Sequence, residues 1–211
     1  MFRQGMQNNV ATLTGALMVF LSLIAGFAGA ADKGMIETTM DMEKVKRIKS
    51  LVRFDSQGNL TLPEGYRQWV FIGAPVTPND LNDGKATFPE FHHVYIDPGS
   101  FKHYQETGNF RDGTVLIKEL VKVGAKKAAS GNGYFPGDFS DVGVSVKDSI
   151  RFTKEPGNWG FFHFTAEGGK SLSQTAKSQP TAACSACHQS NAAQDLVFTQ
   201  HYPVLRAAKP K

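Results

Sequence analysis

The sequence predicts a mainly β (α+β) fold, with an antiparallel β-sheet core and peripheral helices. Three observations predict it. Five short runs, "RQWVFIGAPV", "HHVYID", "GTVLIKELVKVG", "DVGVSVKDSIRF" and "NWGFFHFT", are rich in β-branched and aromatic residues and bounded by Gly, Pro, Asn or Asp. Helical periodicity is confined to short stretches before, between and after them. The length that remains after an N-terminal leader suits one domain with a buried core.

The leader comes first. Residues 1–30 read as a secretory signal peptide: Arg3 supplies the positive end, residues 16–29 form an apolar run, and Ala28, Gly29 and Ala30 are small residues at a cleavage site. A membrane anchor is the competing reading, but the run is shorter than the roughly 20 apolar residues a spanning helix needs. The expected organisation is therefore a signal peptide over 1–30 and a single exported domain, not membrane-embedded, over 31–211. The net charge of +4 is mild and mixed along the chain, too weak a bias to imply a nucleic-acid partner.

Next, "MDMEKVKRIKSLVRF" carries Val45, Ile48, Leu51 and Val52 at helical spacing between basic residues, which predicts an amphipathic helix. The five strand runs follow. Between the second and third, "DPGSFKHYQETG" predicts a short helix with Asp97 as N-cap and Pro98 at the first helical position. "SGNGYFPGDFSD" reads as a loop, and "TAACSACHQSNAAQDLVF" as loop and helix laid against the sheet. Sixteen Phe residues furnish the core and would also suit the walls of a large planar cofactor.

The chain's two cysteines, Cys184 and Cys187, stand in one word with His188: C-x-x-C-H, the attachment sequence of c-type haem. The spacing follows from the chemistry. Two thiols add to the two vinyl groups on the macrocycle, and the adjacent imidazole reaches the iron as axial ligand. Three other uses of the same residues stand beside it: a zinc site needing a distant fourth ligand such as His201, a thioredoxin-like redox pair, and a structural disulfide. The adjacent His and the export signal favour haem. The sixth iron position in electron-transfer cytochromes is filled by Met or His. No methionine occurs after Met42, and His92, His93, His103, His163 and His201 remain as candidates. The balance points to an open iron and small-molecule chemistry. Strand alternation also sets Lys118 on one face with Leu116, Leu120 and Lys122, where an edge device or a snorkelling side chain is the ordinary explanation.

"YRQWVFIGAPVTPNDLNDGKATF", "VYIDPGSF", "DGTVLIKELV", "SGNGYF", "EPGNWGFF", "QPTAACSACH" and "VFTQHYPVLRAAK" together resemble the cytochrome P-460 family of exported bacterial monohaem proteins, from about Leu60 to Lys209. The related cytochromes c′-beta share the fold and lack the lysine. The resemblance implies a periplasmic homodimer with one haem c, held by Cys184 and Cys187, with His188 on the iron. It also implies a third bond, from Lys118 to a meso carbon of the porphyrin. Such an amine attacks only when deprotonated, and burial lowers a lysine pKa in that direction. The implied activity is haem-dependent oxidation of hydroxylamine through an iron–nitrosyl towards nitrous oxide or nitrite-level products. Hydroxylamine and nitric oxide are the implied small ligands, and a small cytochrome the implied electron acceptor.

Two departures from the pattern matter. His92 stands where the family often has Arg. Gly143 stands where active members carry a distal carboxylate that accepts substrate protons. Asp141, two residues earlier and on the same face of a regular strand, is one candidate acceptor and His92 another; a one-residue slip in register would remove Asp141. Phe88 is expected in the distal wall. The competing reading is a haem protein that binds nitric oxide or hydroxylamine without turnover, as in cytochromes c′-beta. A c-type electron shuttle is weakened by the missing methionine.

Overall fold

A computed structural model describes residue 42, residues 51–165 and residues 171–211. All of these but Met42 fall in one compact unit, Lys44–Lys211. The signal peptide and most of the predicted amphipathic helix lie outside the described residues. Among those described, no helix is long and apolar enough to cross a membrane.

In chain order the strands are β1 (Leu60–Thr61), β2 (Val70–Gly73), β3 (Phe91–Ile96), β4 (Val115–Val123), β5 (Lys127–Ala128), β6 (Gly131–Asn132), β7 (Pro136–Lys147), β8 (Trp159–Phe164) and β9 (Thr175–Ala176). Helix α1 (Pro98–Thr107) lies between β3 and β4, and α2 (Ser185–Asn191) and α3 (Pro203–Ala208) follow β9. Five strands form one antiparallel sheet in the order β2-β3-β4-β7-β8; β1 pairs with β9 and β5 with β6. The mainly β, antiparallel expectation holds, and each of the five strand runs contributes one strand of the central sheet.

The one revision is "SGNGYFPGDFSD". Its first part holds the short β6, but Pro136 to Asp141 belong to the twelve-residue β7. Gly and Pro made this stretch read as a loop, whereas it pairs with the far end of β4 through two register irregularities, between Leu120/Val121 and Val121/Val123. Bulges absorb residues that break regular alternation.

Both faces of the sheet are covered, which explains why β4 reads as a near-continuous apolar run. One face packs Val115, Ile117, Val142, Val144, Val146, Phe162 and Phe164 against Val52, Leu60 and Tyr66. There the buried Glu119 accepts hydrogen bonds from Tyr66 Oη at 2.6 Å and from the Arg67 guanidinium. On the other face, Ile96, Leu116 and Phe161 pack with Tyr104 of α1 and with Val197, Tyr202 and Leu205 of the C-terminal segment. Helix α1 begins as predicted: Asp97 accepts from Ser100 N at 2.8 Å while Pro98 opens the first turn. The same carboxylate accepts from Val115 N at 3.0 Å, tying the cap to β4.

Candidate functional site

The register of the central sheet arranges one face in rows. Ile96, Leu116, Ser145 and Phe161 form the first, Val94, Lys118, Gly143 and His163 the second, and His92, Leu120 and Asp141 the third. Successive same-face residues stand about 7 Å apart along a strand, so the rows form three tiers. Asp141 pairs with Leu120, and the register shift falls just beyond it. The regular strand needed to put Asp141 and Gly143 on one face is therefore present.

The first tier carries the C-terminal segment. The His188 ring lies 4.5 Å from Phe161 and 4.8 Å from Phe198, centroid to centroid. Its Nδ1 donates to the Leu196 carbonyl at 2.7 Å. A carbonyl only accepts, so Nδ1 carries the proton and Nε2 keeps the lone pair, the arrangement that suits a metal ligand. Leu196 holds this carbonyl in place with a left-handed φ of 59°, next to Asp195 at φ 45°. Such backbone costs about 1–3 kcal/mol and persists where the surroundings over-determine it. Here they do: Asp195 takes an ion pair from Lys147 at 2.9 Å and a hydrogen bond from Trp159 Nε1 at 3.3 Å.

Cys184 caps α2, so Cys184, Cys187 and His188 stand at i, i+3 and i+4, neighbouring positions on one helical face. Cys184 is half-buried and Cys187 exposed, and neither is in a disulfide. A turn rather than a strand precedes this helix, unlike a thioredoxin-type pair. Among the described residues no three His, Cys, Asp or Glu gather as a metal cluster, so a zinc site using His201 is not assembled.

The second tier carries Lys118. Strand β4 is central, not an edge, and Lys118 does not snorkel: its Nζ lies 3.8 Å from the Phe88 ring centroid. Burial lowers its pKa, while the nearby Cys184, Glu90 and Cys187 oppose the shift. Lys122, of the same parity, is exposed. Burial raises the Cys184 thiol, and the Lys118 charge lowers it. Lys118 shares the sheet face on which the C-x-x-C-H helix rests, through His188 on Phe161. Gly143 leaves room beside this lysine: a Cβ there would meet Lys118 Cε at 3.4 Å, an ordinary contact.

Phe88 caps the upper tiers, edge-on to His92 at 5.9 Å and to His163 at 6.4 Å. His92 Nε2 donates to the Phe88 carbonyl at 3.2 Å. Burial and then the Lys118 charge push His92 down to about 4, against the opposing effect of that hydrogen bond. His163 is lowered by burial; Asp141 and Glu90 oppose this and Lys118 adds to it. Asp141 also opens onto a cleft lined by Arg67, Glu119, Phe139 and Ser140. His93 shares none of the three rows; it lies against Phe71 and Phe91.

Two residues were missed by sequence reasoning. Glu90 precedes β3 with the parity of His92 and Val94, a signal that was present but sits beside Pro89 at a strand end. The Leu196 carbonyl that orients His188 is backbone, and no side-chain pattern announces it.

The donor set fits a covalently held haem: two free thiols and an oriented imidazole lacking a proton on Nε2, packed against the rings of Phe161 and Phe198. The cytochrome P460 family model matches residues 63–199. No curated protein matches the chain. With the matched region spanning the sheet, Lys118 and the C-x-x-C-H helix, this chain belongs to the cytochrome P460 family of haem proteins.

Proposed function

We propose that the protein is an exported, periplasmic monohaem c-type cytochrome that oxidises hydroxylamine. Cys184 and Cys187 would tether the macrocycle, His188 Nε2 would ligate the iron, and Lys118 would form the third bond. The observation that carries the reading is the buried Lys118 amine, inward on the same sheet face against which His188 of the C-x-x-C-H helix packs through Phe161. When bound, the haem supplies an open iron position for a small nitrogen ligand and a route for its electrons. The remaining chemistry belongs to the chain. Phe161 and Phe198 pack against the imidazole, Leu196 holds its tautomer, and Phe88 lies against the amine. Burial favours the neutral amine that a bond from Lys118 requires. Substrate protons would pass to an acceptor on the upper tiers, with Asp141 and His92 as candidates. A small cytochrome as electron acceptor and a homodimeric assembly belong to the same proposal.

A second reading is favoured by one observation. Gly143 provides no carboxylate beside Lys118, which suits a protein that binds nitric oxide or hydroxylamine without turnover. Steady-state hydroxylamine oxidation with an artificial electron acceptor separates the two. Hydroxylamine-dependent reduction of the acceptor supports the enzyme, and ligand binding without reduction supports the second reading.

A further inference from the structure

We propose that Glu90 and His163 form a two-point polar clamp beside Lys118 for a small ligand that both donates and accepts hydrogen bonds, of the hydroxylamine class. The inference rests on the haem reading above and assigns the residues that would recognise the ligand.

Two atoms carry it. Among the described residues, Glu90 Oε2 and His163 Nε2 are the buried side-chain polar atoms without a hydrogen-bond partner. Leaving such a group unpaired costs about 1–3 kcal/mol, and folded proteins retain few of them. Phe88 ties both to Lys118: its ring lies under the lysine Nζ, and Glu90 follows it by two residues. His163 stands in the row of Lys118 and Gly143, and its ring meets the edge of Phe88. Glu90 lies two residues before His92, and its charge acts on both Lys118 and His163. Glu90 thus approaches from the segment before β3, and His163 from β8 in the row where Gly143 leaves the β7 position bare.

The chemistry of the orphaned atoms selects the ligand. A carboxylate oxygen accepts, and a ring nitrogen donates or accepts according to its tautomer. Hydroxylamine offers N–H and O–H donors together with lone pairs and satisfies both. Carbon monoxide offers no donor and satisfies neither fully. Asp141 is less suited to the part, because it opens onto the cleft with Arg67 and Ser140.

The test uses equilibrium titrations of the haem-loaded protein, read from its visible spectrum. Hydroxylamine is added to the ferric form and carbon monoxide to the ferrous form. Glu90→Ala and His163→Phe should each weaken hydroxylamine binding about tenfold, the size of one lost hydrogen bond to a charged or buried group. Glu90→Gln should recover part of the loss. Carbon monoxide affinity should stay within about twofold throughout, which also shows that each variant is folded and loaded. Unchanged hydroxylamine affinity in both variants would overturn the clamp. So would carbon monoxide affinity that falls in step, because the residues would then be shaping the pocket only. Turnover is scored separately. A native protein that turns over while its variants bind normally sinks the clamp and leaves the enzyme standing. One that never turns over but loses affinity on substitution does the reverse.

Discussion

Lys118 and Gly143 are direct partners across β4 and β7, and a Cβ at position 143 would lie 3.4 Å from Lys118 Cε. The buried lysine and the bare Gly143 position are therefore neighbours in one row. Whatever replaces Gly143 acts on the space beside the amine.

Gly143→Glu should raise hydroxylamine turnover, because the Cβ is accommodated and a positioned carboxylate contributes about 10²–10⁴-fold to proton transfer. Asp141→Asn should abolish turnover if Asp141 acts as the surrogate. Steady-state assays of both variants and of His92→Gln check this. Brisk native activity that survives loss of both Asp141 and His92 would remove these two residues from the role.

Digestion of the native protein should yield the Lys118 peptide joined through haem to the "CSACH" peptide, detected by mass spectrometry. Lys118→Leu should leave a haem held by Cys184 and Cys187 alone, with an ordinary c-type ferrous spectrum. A stoichiometric free Lys118 peptide from the native protein would refute the third bond.

The Lys147–Asp195 pair braces the left-handed residues that hold the Leu196 carbonyl under His188. Asp195→Ala should lower stability by about 1–3 kcal/mol, since a partly buried charge loses its partner. It should also shift the haem spectrum by freeing the imidazole. A stability loss in chemical denaturation with an unchanged spectrum would confine Asp195 to a packing role.

Burial, and then the Lys118 charge, push His92 down to about 4 from its ordinary 6.5. The unfolded chain binds the proton first, so stability is lost as pH falls from about 6.5 to 4, by up to about 3 kcal/mol from this group. Burial shifts His163 and His188 in the same direction. The share due to His92 is therefore the part of the pH slope that disappears in His92→Gln, measured by denaturation across that window.

A Cβ at Gly160 would fall into the Phe152 ring, 2.6 Å from Cε1. Gly160→Ala should cost about 1–3 kcal/mol through overpacking, lowering Tm by roughly 2–4 °C per kcal/mol in a chain of this size. An unchanged Tm would mean that Phe152 moves aside freely.

Much of the fold was legible from local chemistry. Asp97-Pro98 announced α1 because a capping carboxylate and a fixed φ act within one turn, and the five β-branched runs became the five strands of the sheet because their apolar side chains need a pleated, two-sided cover. The spacing of Cys184, Cys187 and His188 was likewise local, since one helical face gathers i, i+3 and i+4. The parity of Lys118 was readable too, although its burial was not: an amine at a sheet edge has the same sequence pattern as one on the central strand. Only pairing partners decide that, and they come from residues far apart in the chain. For the same reason, only tertiary structure set His163 in the row of Lys118, placed Gly143 against that lysine, and brought the Leu196 carbonyl under His188. Each of these is a contact between strands or segments, fixed by register and packing rather than by the preferences of neighbouring residues.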